Sequence, residues 1–368
     1  MGYCQIILPL YIFILSTYII RKHDNSFIPR EGRKLMGKTF LVPAVLGAIL
    51  LNAGMVLPEV PEGSAWTVSH GYDRCIKLFN ETTAVVIEPN CGGRVIEYSL
   101  NGRNVLYTDP AQNGWTYTPG EKAINPCAGR FDIGPEMLAP RHPDLWVGRW
   151  TPEITSTGGA RLTSLDDRAT GVRLVRDFEL DRDTSRLLIT QTIINISDST
   201  KQYFHWSRTL AVGGGICLVP LTAGSRFPRG YILYGPGTVM NYRPEDYPSI
   251  RTRGSFLEIY PNPPQPKFGI DSYAGWFGYL MPGDLLFIKK FPVYRDRVYG
   301  ELAAFTISMW YYKDEMCELE PIGPRETLAP GESASFTEEW WLVPYRFPAE
   351  GAEVELTDFE RFVKDTIR

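Results

Sequence analysis

The chain contains no Cys-x-x-Cys pair, no clustered basic face, no nucleotide-cradling glycine motif and no alternation of strands with helices. Each absence removes a class of function. Of the six cysteines, Cys4 lies in an apolar run and Cys75, Cys91, Cys127, Cys217 and Cys317 are scattered singly, so no zinc ligand set is spaced here and buried free thiols are expected, with at most one bridge. Neither an EF-hand spacing nor HExxH occurs, so no metal site is expected, and no motif calls for a cofactor. The three glycines in "LAVGGGICLVPL" lack a following GK[ST] and have strand-like flanks, which predicts a tight bend. With a formal net charge of −4 and Arg and Lys interleaved with acids, nucleic acid is not an expected partner. No internal repeat of roughly 20–50 residues is visible, which argues against a propeller or solenoid.

Two apolar runs stand at the start. "CQIILPLYIFILSTYII" is followed by Arg21, Lys22 and His23, and "FLVPAVLGAILLNAGMVL" follows the basic stretch "REGRKLMGK". The second has the order of a secretory signal beginning at Met36, with a basic residue, an apolar core, then small and polar residues. The expected organisation is an upstream extension over 1–35, a signal peptide over 36–65, a body over 66–350 and a C-terminal helix over 351–368. A two-span membrane anchor is the alternative for the N-terminus. In either case the body is expected to be exported, to the periplasm or beyond.

The body reads as strand after strand. "TTAVVIEP", "RVIEYSL" and "RNVLY" are separated by "NCGG" and by an Asn-Gly pair, a strong hairpin signal. "GVRLVRDFEL" and "SRLLITQTIINIS" flank "DRDT" and alternate polar with apolar, so one face is wet and one dry. Strands at such intervals over nearly 300 residues predict an all-β fold of large antiparallel sheets packed as a sandwich. Only the tail "LTDFERFVKDTIR" keeps a helical period, with Leu356, Phe359, Phe362 and Val363 on one face.

Near the end, "MCELEPIGP" places Glu318 and Glu320 on one face of a strand and Cys317 and Leu319 on the other. In "KQYFHWSRT", His205 and Ser207 share a face opposite Trp206 and Arg208. "NPCAGRFDIGPEMLAPRHPDLWVGRW" is dense in charge and aromatics and is a candidate cleft wall, with His142 beside Pro143. "FGIDSYAGWFGYL" and "FPVYRDRVYGE" set Asp271 and Asp296 among aromatics. Acids accept sugar hydroxyls and flat rings stack on pyranose C–H groups, so Trp276, Tyr273 and Tyr294 are candidate platforms.

The opening "VVIEPNCGGRVIEYSLNGRNVLY" and the close "CELEPIGPRETLAPGESASFTEEWWL" resemble the first and last strands of the galactose-mutarotase-like superfamily. The likeness is nearest to an uncharacterised bacterial branch of it, a domain of unknown function. The resemblance implies a supersandwich with a sugar cleft on a concave sheet. It implies Glu320, in the Leu-Glu-Pro step, as the base that takes the anomeric proton, and a histidine as the acid. His205 is the only imidazole near the expected segment, where Lys201 stands in the usual histidine place. "AGRFD" implies Arg130 as a sugar-hydroxyl donor, and Glu318 an acceptor beside the base. The expected function is thus an exported carbohydrate-active or carbohydrate-binding protein with epimerase-like chemistry at carbon 1. A non-catalytic glycan-binding envelope protein is the second class, and a polysaccharide lyase or hydrolase the third.

Overall fold

The computed structural model describes residues 62–235 and 239–368. The apolar runs that suggested a signal peptide or anchor lie outside the described residues. Among those described, no helix is long and apolar enough to cross a membrane.

Two antiparallel sheets account for nearly all the regular structure, one of 13 strands and one of 10. The meander is present: Thr83–Glu88 pairs with Arg94–Leu100, which pairs with the short strand Arg103–Asn104. Asn101 and Gly102 both adopt positive φ, 50° and 78°, as a twist-matched two-residue hairpin turn requires. The second hairpin joins Val172–Leu180 to Leu187–Asn195, and Asp181 holds its turn by accepting from the Asp183 and Thr184 amides. Both strands alternate buried and half-exposed residues along their length. At Gly213–Gly215 the chain leaves strand Lys201–Val212 of the first sheet and enters Ile216–Pro220 of the second. A Cβ on Gly213 would stand 2.2 Å from the Asp314 carbonyl oxygen, so the expected tight bend is a sheet crossing that only glycine fits.

The main core lies between the sheets and includes Phe131, Cys317 and Leu319 of the first with Phe287, Phe336 and Trp340 of the second. All five described cysteines are buried free thiols. The outer face of the second sheet is covered by the C-terminal helix, Leu356–Thr366, whose Phe359 and Val363 pack with Phe256, Trp276 and Ile288. On the outer face of the first sheet, Phe204, Trp206, Phe227, Ile232, Phe305 and Ile322 form a smaller cluster. Strands Gly129–Gly134, Lys201–Val212 and Met316–Pro321 run side by side beneath it and are buried on both faces.

Candidate functional site

Those three strands put their even-numbered side chains outward. Arg130 lies opposite Arg208, Asp132 opposite Trp206, and Leu210 opposite Glu318 in the paired registers. Two neighbouring strands add Ser308, opposite Glu320, and Lys267, opposite Trp310. The result is a patch of alternating charge on the outer face of the first sheet. Glu318 and Glu320 do share a face, but neither is solvated: they are 2% and 0% exposed.

Arg208 organises the centre. Its Nε donates to Glu318 Oε1 at 3.2 Å and lies equally close, 3.2 Å, to Glu320 Oε1. One N–H cannot serve both, and Glu320 is the carboxylate left without an aligned donor. Lys267 Nζ approaches Glu320 Oε2 at 3.6 Å, and Arg130 stands 4.0 Å from Glu318. The two carboxylates therefore split. Burial works against the charge of Glu318, yet Arg208, Lys267 and Arg130 hold its carboxyl down at about 2. Burial and the Glu318 charge push Glu320 up, only partly opposed by Lys267 and Arg208. A pair whose environments drive it apart supplies one fixed anion and one carboxyl that holds its proton more tightly than usual.

A loop closes one edge. After Gly134 the chain turns into the short helix Pro143–Trp146, and the Trp146 ring lies 3.7 Å from the Arg130 guanidinium and 5.0 Å from that of Arg208. The turn "NCGG" fixes this loop from below: Gly92 donates to Gly148, and a Cβ on Gly92 would strike the Trp146 carbonyl oxygen at 2.2 Å. His142 sits at the same edge with Nδ1 2.5 Å from the Pro140 carbonyl oxygen and Nε2 2.8 Å from Asp132 Oδ1. Both ring nitrogens face acceptors, so both carry protons and the ring is an imidazolium. Burial opposes that charge, but the Asp132 bond and charge raise its pKa to about 9. At the opposite edge Glu301, pushed up to about 7 by burial and by Glu136, faces the same patch.

Eight of the sixteen buried side-chain polar atoms without a hydrogen-bond partner among the described residues belong here: all three nitrogens of Arg130, Trp206 Nε1, Ser308 Oγ, one oxygen of Glu301 and both of Glu320. Each such atom costs about 1–3 kcal/mol. A fold that concentrates that cost in one place has positioned polar groups for something other than its own stability.

Several residues singled out in the sequence fall elsewhere. His205 points the other way, into the core between the sheets, stacked between Phe131 and Phe336 with Nε2 3.0 Å from the Ala334 carbonyl oxygen. It is 0% exposed, and burial lowers its pKa to about 4, so it is neutral and cannot be the acid beside Glu320. Trp276 is not a sugar platform but a core residue of the second sheet, packed on Phe256 and Phe359. Asp271 accepts from Ser225 Oγ and the Arg226 amide and so shapes a turn. Tyr294 and Asp296 are in the exposed loop after Phe291, away from the patch. Lys201 packs at the sheet end against Gly171. Arg130, Arg208, Glu318, Glu320 and His142 are brought together. Trp146, Lys267, Glu301 and Tyr234, whose ring centre lies 5.8 Å from Lys267 Nζ, join them without having been expected; for Lys267 the only signal was a cation in the otherwise strand-like "KFGI".

No family model matches the sequence, and no curated protein does. Solved structures do match. A galactose mutarotase-like protein from Lactobacillus casei ATCC 334 superposes with a TM-score of 0.53 at 12% identity, covering 73% of this chain and 100% of its own. The Slr1438 protein from Synechocystis sp. PCC 6803 gives 0.50 at 16%, covering 76% and 100%. A candidate aldose 1-epimerase from Escherichia coli K12 gives 0.50 at 13%, covering 73% and 98%. With two large antiparallel sheets and 98–100% of each of these neighbours covered, the chain has the galactose-mutarotase-like fold.

Proposed function

We propose that this is an exported sugar-handling protein that interconverts the anomers of an aldose on the outer face of its first sheet. The observation that carries this is the coincidence, in one patch, of a split carboxylate pair and half of the partnerless buried polar atoms among the described residues. Glu320 is the base and the proton held between His142 and Asp132 is the acid. Asp132 and Glu320 lie two strand spacings apart and two residues out of register, about 12 Å at the backbone, so their side chains reach towards each other across the Trp206–Arg208 segment. Glu320 takes the proton of the anomeric hydroxyl as the bond from carbon 1 to the ring oxygen breaks, and its electron pair takes the proton from the His142 side. Rotation about the bond from carbon 1 to carbon 2 and reversal of both transfers returns the ring in the other configuration. Glu318 stays ionised and, with Arg130 and Arg208, receives ring hydroxyls. Trp146, which is only partly buried, gives the apolar face.

One observation favours a binding protein that lacks catalysis: Arg208 and Lys267 lie directly against Glu320. Equilibration of fresh α-anomers, followed by polarimetry or NMR across several aldoses, decides between the two. Acceleration over the spontaneous rate supports the epimerase. Binding of one sugar with no acceleration of any leaves the glycan-binding protein. Export is tested separately by intact mass of the protein from its native envelope, where a chain beginning between about Ala53 and Trp66 is expected.

A further inference from the structure

The residues of "FPVYRDRVYGE" and "FGIDSYAG" that do not reach the patch meet instead around a second pocket of about 380 Å³. Arg226, Arg295 and Arg297 line it together with Tyr273 and Tyr299. Asp296, between two of the arginines, is not in the lining. Each guanidinium is anchored on one side. Arg226 Nε pairs with Asp271 at 3.4 Å while its Nη2 donates to the Ala304 carbonyl, and Arg297 Nη2 donates to Glu326 at 2.6 Å. Arg295 lies 4.8 Å from the Tyr273 ring centre and donates by Nη1 to the Ala223 carbonyl at 3.4 Å. That leaves Arg226 Nη1, both Nε and Nη2 of Arg295, and both Nε and Nη1 of Arg297 without a partner among the described residues.

Carboxylates neutralise two of the arginines, Asp271 the first and Glu326 the third, but none pairs with Arg295. Three guanidinium groups that line one concavity, each held by a contact on one side and each keeping N–H groups without a partner, suit an oxyanion, which can accept two parallel hydrogen bonds from a free fork. The tyrosine rings beside them suit a sugar ring bearing that anion. The pocket also adjoins the first site: the Ala304 carbonyl that anchors Arg226 and the Glu301 that faces Glu320 belong to one turn, closed by the Ala304 amide donating to the Glu301 carbonyl.

We infer that this pocket binds the anionic substituent of an acidic glycan, a carboxylate, sulfate or phosphate. The glycan part rests on the sugar-handling function proposed above; the oxyanion site does not. Calorimetric titration of the full chain with inorganic sulfate, inorganic phosphate and acetate tests the site itself. Saturable binding of at least one anion, weakened at least about tenfold by Arg295→Gln and only partly restored by Arg295→Lys, is expected. No saturable binding, or binding indifferent to Arg295→Gln, overturns the inference. Titration with glucose, glucuronate, glucose 6-sulfate and glucose 6-phosphate then tests the ligand class. An acidic sugar that binds more tightly than its free anion supports the glycan reading and names the substituent, whereas glucose binding as tightly as all three overturns it. Glu320→Gln should leave anion binding unchanged, so failure of the anomer chemistry and failure of this site are separate results.

Discussion

Two charged clusters lie on the two faces of strands Lys201–Val212 and Met316–Pro321, the inner one carried by Lys289 and Glu338 of the second sheet. On the inner face, Lys289 Nζ donates to Ser207 Oγ, Thr209 Oγ1 and the Leu319 carbonyl at 2.9–3.1 Å and pairs with Glu338 at 3.0 Å. Glu338 in turn accepts from Gln191 and Trp340. On the outer face, Arg208, Glu318 and Glu320 occupy alternate positions of those strands, and there Arg130 donates no hydrogen bond and Glu320 accepts none. Both clusters are buried; they differ at their central charges, for Lys289 and Glu338 are fully bonded although Gln191 Oε1 and two nitrogens of the nearby Arg176 lack partners. Burial lowers Lys289 to about 8, yet its donors are fully used, as expected of a charge that serves the fold. The outer charges are held where the fold does not satisfy them, as expected of groups kept for a ligand.

The sharpest way to break this contrast is to remove one partner from each side. Glu338→Leu leaves Lys289 buried and unpaired and should cost about 3–5 kcal/mol in equilibrium denaturation, with Lys289→Met added to it recovering part of the loss. Glu320→Gln should instead leave stability within about 1 kcal/mol of wild type, or raise it by removing a crowded buried acid, while the anomerisation rate drops roughly 10²–10⁴-fold. A Glu320→Gln protein as unstable as Glu338→Leu would make the outer cluster structural as well.

His142→Asn should lower the rate about 10²-fold and abolish its alkaline limb. In the wild type the acid must be protonated, so the rate should fall as pH rises through about 9, and on the acid side it should fall as Glu320 takes up its proton. The same ion pair has a stability signature. Its folded pKa lies above the ordinary 6.5, so the stabilisation is complete below that value and lost as pH rises through about 9, and a stability profile of His142→Asn should be flat there. The smallest effect on rate belongs to His205→Gln. Its interior position predicts unchanged anomerisation with a loss of about 1–3 kcal/mol, because the Ala334 carbonyl loses its donor.

What the sequence made legible follows from where burial is one-sided. The hairpin of Val172–Leu180 and Leu187–Asn195 has one wet face, so its pattern declared both strand and orientation. The Lys201–Val212 strand is buried on both faces and carries polar residues at both parities, His205, Ser207 and Thr209 on one and Arg208 on the other, so its pattern gives no sign of which parity looks outward. Opposition of His205 and Arg208 was therefore readable, but the choice between them was not. Trp276 misled for the same reason: the helix Leu356–Thr366 buries a face that an aromatic strand would otherwise offer to solvent. Glu318 and Glu320 were paired correctly by alternation, while their burial came from Arg208, Lys267 and the Trp146 loop, each distant in sequence.

The parity of Met316–Pro321 also constrains how this protein can change over generations. Deleting or inserting one residue within that strand would carry Glu318 and Glu320 into the core and Cys317 and Leu319 onto the outer face, dismantling the outer cluster at a stroke. Drift in length here is thus confined to the turn Lys313–Glu315 and to the loop after Pro321, and the six residues between can vary in identity but not in number.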